Sequence, residues 1–133
     1  MTPGEQCVIR DVAAQVAAAL AAADLTAIGA LLDPQVRWGP PGDPAPPCRS
    51  RDQVLPWYRQ GRASGARASV TETVVVGDKI LVGMQVTGRG AAGGRDGAED
   101  RWQVLTVRNG LVAEIVGFDD RAEAARWAGL GGI

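Results

Sequence analysis

Hydrophobic positions recur first at helical spacing and then, from about Ala66, at a spacing of two. Val8, Val12, Val16, Ala19 and Leu20 mark one narrow apolar stripe of a first helix, which Thr2-Pro-Gly-Glu5 opens in the form of a capping box. The rest of that helix is largely alanine, so it can approach a sheet closely. Asp24 is placed as the N-cap of a short second helix with Leu25, Ile28, Leu31 and Leu32 inward, ended by Asp33-Pro34. Gln35 to Trp38 reads as a short strand, followed by the stiff proline-rich loop from Gly39 to Pro47. Ser50 and Gln53 cap a third helix that carries Val54, Trp57 and Tyr58 on its inner face and Pro56 near its start.

The second half has strand periodicity. Val70–Val76 and Lys79–Thr87 flank the turn Gly77-Asp78. Glu99 to Asp119 spells two longer antiparallel strands joined at Asn109-Gly110, a pair whose residues tolerate the positive φ that a tight hairpin turn requires. Asp120-x-x-Glu123 caps a final helix with Ala124 and Trp127, stopped by Gly129. Helices first and strands afterwards predict a single α+β domain.

Alternation assigns the strand faces. With Leu105 and Val107 directed at the core, Arg101 and Gln103 share their face, and Trp102, Val104 and Thr106 take the opposite one. On the last strand Leu111, Ala113 and Ile115 point inward, with Gly117 and Asp119 toward an open end. On the first strand of the meander Val70, Val74 and Val76 point inward and Glu72 goes with them. Strict alternation therefore brings Glu72 and Arg101 together inside, an ion pair that with Gln103 could bind or polarise a ligand oxygen. Asp119 is aimed at the mouth, and Glu72 or Asp119 is the candidate base of any acid–base reaction, with Arg101, Gln103 or Tyr58 to stabilise a developing oxyanion. Tyr58 is a hydroxyl donor for a carbonyl ligand, and Trp38, Trp57 and Met84 are walls.

Composition narrows the chemistry. The 133 residues contain no histidine, which removes Ser-His and Cys-His nucleophile pairs and the imidazole ligands of most catalytic zinc sites. Acid–base work would fall to carboxylates, Tyr58, lysine, cysteine or bound water. Two cysteines, Cys7 and Cys48, are too few for a disulfide framework and point to reduced thiols in the cytoplasm. A net charge of −1 with mixed signs favours neither nucleic acid nor an anionic membrane, and no run approaches the ~20 apolar residues of a span. Gly88-Arg-Gly90-Ala-Ala-Gly93 matches the GxGxxG fingerprint, but a strand follows instead of a helix, so no dinucleotide site is expected. No cofactor and no metal are expected.

The segments DLTAIGALLDPQVRW, RDQVLPWYRQG, VVVGDKILVG and VRNGLVAEIVGFDD resemble the SnoaL-like proteins of the nuclear transport factor 2-like superfamily. The resemblance covers nearly the whole chain. It implies a cone: a curved mixed sheet wrapped around the N-terminal helices, often dimeric through the convex sheet face. It further implies either a cofactor-independent isomerase, cyclase or epoxide hydrolase acting on a small apolar molecule, or a non-catalytic binding or dimeric interaction module. Residue by residue, the enzymes' chemistry does not carry over. The isomerase base falls near Trp38, and the hydrolase arginine and carboxylate fall on Met84 and Val86. The hydrolase's second carboxylate falls on Gly117.

Overall fold

The computed structural model describes residues 2–43, 45–63, 65, 67–87 and 98–130; the Gly88–Gly93 motif lies outside them. Helices α1 (Pro3–Ala22) and α2 (Leu25–Leu31) precede strand β1 (Leu32–Gly39) and helix α3 (Arg51–Ala63). Four strands follow, β2 (Arg67–Val76), β3 (Lys79–Thr87), β4 (Ala98–Arg108) and β5 (Leu111–Phe118), and then helix α4 (Arg121–Ala128). They form one mixed five-stranded sheet in the order β1-β5-β4-β3-β2, in which the β1–β5 pair is parallel and the rest antiparallel.

The local signals act where they stand in the chain. Thr2 Oγ1 accepts the Glu5 N–H at 3.1 Å, Asp24 Oδ1 accepts that of Ala27 at 3.1 Å, and Asp120 Oδ1 accepts that of Ala122 at 3.3 Å. Ser50 Oγ takes the Gln53 N–H at 3.3 Å, while Gln53 Oε1 reaches back to the Arg49 N–H at 2.6 Å. Asn109 and Gly110 both have positive φ, 54° and 77°, as the β4–β5 turn requires. In α1 the buried positions are Ile9, Val12, Ala13, Val16, Ala19 and Leu20, and Val8, expected on the stripe, is 46% exposed. Strand β1 begins at Leu32, directly after α2, three residues earlier than the apolar pattern suggests.

The sheet carries apolar side chains on both faces. Helices α1, α2 and α3 cover the inner face, where Ile80, Val82, Met84, Leu105, Val107, Val112 and Ile115 join Val12, Val16, Leu20, Ile28 and Val54. Helix α4 covers part of the outer face, where Leu81, Val104, Val116 and Phe118 meet Ala124 and Ala128. The outward direction of Trp102, Val104 and Thr106 agrees with alternation. Within the chain, however, that face is already partly occupied by α4, and Val104 and Thr106 are buried.

Two register shifts overturn the parity of neighbouring strands. Between Val70 and Glu72, Thr71 is an extra residue, so that Val70 pairs with Met84 but Glu72 with Gly83. From there on β2 presents Glu72 and Val74 to the outer face, where Val74 packs with Leu81, and Val75 to the inner one. The second shift lies between Thr106 and Val107, which pair with Glu114 and Val112. It puts Val112 inside where Leu111 and Ala113 were expected, and Ile115 keeps its expected place.

Candidate functional site

On the inner face, the β3–β4 ladder stacks side chains in successive rows along the strands. Ile80 pairs with Leu105, Val82 with Gln103, Met84 with Arg101 and Val86 with Glu99. The β4–β5 pairing extends two of these rows, Leu105 to Ile115 and Gln103 to Gly117. Polarity therefore rises along β4 from a hydrophobic floor to a charged rim, with Gln103 at the change. Met84 and Val86 both face inward and keep that part of the wall apolar.

Above this wall sits the middle of α3. Tyr58 stacks on Trp38 of β1, with ring centroids 5.2 Å apart and planes 25° from parallel. Trp38 is itself fixed by the proline-rich loop, which returns to form a bridge. The Trp38 N–H donates to the Cys48 carbonyl at 2.9 Å and the Cys48 N–H to that of Trp38 at 3.3 Å. The Tyr58 hydroxyl is hydrogen-bonded to the side chain of Gln103. Burial pushes the phenol up to about 12 from its ordinary 10, and the Gln103 bond only partly offsets that. Tyr58 is thus a neutral hydrogen-bond donor over the whole physiological range and a poor base.

Two spaces meet at this tyrosine. A small internal cavity of about 20 Å³ lies between Val16, Leu31, Leu105, Val112 and Ile115, with Gln103 as its polar wall. A larger one of about 340 Å³ opens outward past Leu25, Trp57, Met84 and Val86, with Arg67 and Ser69 at its polar side. Leu20, Ile28 and Tyr58 line both. The larger volume is at the lower end of the range for small-molecule sites, and its wall is mostly apolar, as such sites usually are. Trp57 belongs to this wall, though 58% of it is exposed.

The charged residues lie apart from this pair. Arg101 Nη2 stands 3.0 Å from Glu99 Oε1, and Nη1 stands 3.7 Å from Asp119 Oδ1. The Asp119 side chain is 88% exposed, and the helix cap is Asp120 instead. Glu99 is the acid that the sequence reading passed over, although it shares the parity of Arg101 and Gln103 and is the more enclosed of the two carboxylates.

Glu72 is not in the site. The extra residue Thr71 turns its side chain to the outer face, where Arg121 of α4 holds it through Nε to Oε1 at 2.6 Å and Nη2 to Oε2 at 3.1 Å. The expected Glu72–Arg101 pair is therefore replaced by separate ion pairs on opposite faces of the sheet, Arg101 with Glu99 and Asp119 on one and Glu72 with Arg121 on the other. The Arg121 hydrogen bonds lower the Glu72 carboxyl below its ordinary value, against the effect of burial and with help from the Trp102 indole N–H. A depressed carboxyl contributes stability that is present above its unfolded value and lost as pH falls through its folded value. Arg121→Met should therefore lower Tm at pH 7, and thermal melts should show the gap to wild type closing as pH drops below the carboxylate range. A gap constant from pH 7 to pH 3 would contradict this assignment.

The sequence matches the family model of the SnoaL-like domain over residues 12–115. Among solved structures, a provisionally named polyketide cyclase from Sinorhizobium meliloti has a TM-score of 0.64 at 21% identity, covering 81% of this chain and 94% of the other. An NTF2-like protein of unknown function from Burkholderia pseudomallei has a TM-score of 0.66 at 23% identity, covering 90% and 95%. A hypothetical protein with a ketosteroid isomerase-like fold from Catenulispora acidiphila, in complex with trimethylamine, has a TM-score of 0.64 at 18% identity, covering 98% and 95%. No functionally curated protein matches. At these identities the likeness is one of fold, and chemistry has to be argued from the site. With the five-stranded mixed sheet, its helices and the match over most of its length, this chain belongs to the SnoaL-like domain family.

Proposed function

We propose that the protein is a pocket protein for a small, largely apolar, uncharged molecule that carries one hydrogen-bonding oxygen. The observation that carries this reading is the Tyr58–Gln103 hydrogen bond where the internal cavity and the outer cavity adjoin, among otherwise apolar walls. A Gln103 amide that donates to the phenolic oxygen leaves the Tyr58 proton for a ligand oxygen. The aromatic and aliphatic wall supplies the affinity, and the polar pair supplies orientation. Retention of the Tyr58 proton suits binding or polarising a carbonyl better than abstracting a proton.

Fluorescence titration tests this, because Trp38 stacks on Tyr58 and Trp57 lines the outer cavity. Wild type should give a saturable change with 2-adamantanone, a compact ketone. Tyr58→Phe, which keeps the stack on Trp38, should bind it about 5–10-fold more weakly, as loss of one neutral hydrogen bond implies. No saturable change in wild type, or equal affinity in Tyr58→Phe, would refute the reading.

A second reading rests on the exposed Asp119 at the rim beside Arg101. There the molecule is a cofactor-independent acid–base enzyme in which Asp119 moves a proton and Arg101 balances charge. Turnover of an enone or epoxide by wild type and its loss in Asp119→Asn would favour that reading over simple binding.

A further inference from the structure

Gly117 lies in β5, one residue before its end, and pairs with Gln103. Antiparallel partners share a face, so the hydrogen of Gly117 points inward beside the Gln103 side chain. Two ordinary reasons for a glycine fail here. Its φ is not positive, so the backbone does not need glycine. A Cβ built on Gly117 would meet nothing within 4 Å among the described residues, so packing does not need glycine either. Gly83, by contrast, would put a Cβ 2.9 Å from Glu72 Cγ and 3.0 Å from Trp102 Nε1, and is a glycine for packing. A glycine inside a strand often marks a bulge, a tight bend or a close approach by a ligand or another backbone, and no bulge lies at Gly117.

We infer that Gly117 sets ligand size. Gly117 lines neither cavity itself, but the open space over its Cα adjoins Gln103, the polar wall of the smaller one, and receives the bulk that flanks the ligand's oxygen when that oxygen is held at Tyr58 and Gln103. This rests on the binding reading above and narrows it to ligands branched or ring-fused next to the oxygen.

Two ketones separate this inference from the reading it rests on. In 2-adamantanone the carbonyl is flanked by cage carbons on both sides, whereas cyclohexanone has the same carbonyl without that bulk. Gly117→Val should melt within about 2 °C of wild type or above it, since nothing described is displaced and a β-branched residue suits a strand. It should bind 2-adamantanone at least ~10-fold more weakly than wild type, with cyclohexanone changed less than ~3-fold, a difference of more than half a decade in selectivity. Gly117→Ala serves as the milder variant and should give the same order with a smaller effect. If wild type binds 2-adamantanone with Tyr58 dependence and both Gly117 variants bind it unchanged, the size role is overturned and the pocket stands. A fall in Tm of several degrees in both variants overturns it too, because the space would then be filled. If wild type binds neither ketone, the pocket reading fails and takes this inference with it.

Discussion

Gly83→Ala should destabilise the protein by about 2–4 kcal/mol, and lower Tm by about 8–15 °C in calorimetry, although only one methyl group is added. The new Cβ would lie 2.9 Å from Glu72 Cγ, 3.0 Å from Trp102 Nε1 and 3.1 Å from Thr71 Oγ1. None of these atoms can retreat cheaply. Glu72 is held by two contacts to Arg121, and Trp102 is packed in the outer cluster beside α4. Thr71 is the extra residue of the bulge, so moving it means reworking the register of β2. One glycine thus lets the bulge, the carboxylate and the indole share the space over one position of β3. The loss should appear as weaker anchoring of α4 as well as a lower Tm, and proteolysis in the Arg121–Ala128 segment reports it. A variant that melts like wild type would mean that the three contacts relax without cost.

Much of this arrangement was legible in the sequence, and the failures share one cause. Caps, turn residues and element order act locally, and the Asn109-Gly110 turn and Asp120 cap stand where local chemistry puts them. Face assignment along β4 also succeeded between Arg101 and Thr106, because no irregularity interrupts its pairing with β3 and Leu105 is a clear inward marker. It failed on β2 because Val74, Val75 and Val76 are all apolar and the sheet is packed on both sides there. Such a run reads equally well in either register, and one inserted residue exchanges the faces without changing its hydrophobic pattern. Glu72 was assigned to the cavity on that pattern alone.

The site shows the same division. Trp38, Trp57, Tyr58, Met84 and Gln103 were each legible singly, as aromatic or polar residues on inward faces. Their grouping was not, because the Tyr58–Gln103 bond joins α3 to β4 across 45 positions of sequence, and the Trp38 stack depends on a loop returning through Cys48. Glu99 could have been found, since it lies two residues before Arg101 on the same strand. Arg121 had no comparable signal. Its partner is set by where α4 crosses the outer face, which follows from burying Leu81, Val104 and Phe118.

Alkaline titration of Tyr58 should have a midpoint near 12, about two units above the ordinary phenol. The measurement is direct because the chain contains one tyrosine, so absorbance near 295 nm reports a single group. Denatured protein should titrate near 10. The cause is the position of the hydroxyl: in an apolar surrounding the phenolate loses its hydration, and one bond from Gln103 cannot replace it. Linkage fixes the sign of the stability change. A group whose folded pKa is raised contributes stability in full below its unfolded value and loses it as pH rises through the folded one. Between pH 10 and 12 the native state should lose on the order of 2 kcal/mol from this group alone. Gln103→Leu removes the bond that favours the phenolate and should move the midpoint higher still, while Tyr58→Phe should flatten this part of the stability profile. A native midpoint at 10 would mean that water reaches the hydroxyl freely. The polar pair would then be a wetted surface contact, and an oxygen arriving there would gain little by exchanging one set of hydrogen bonds for another.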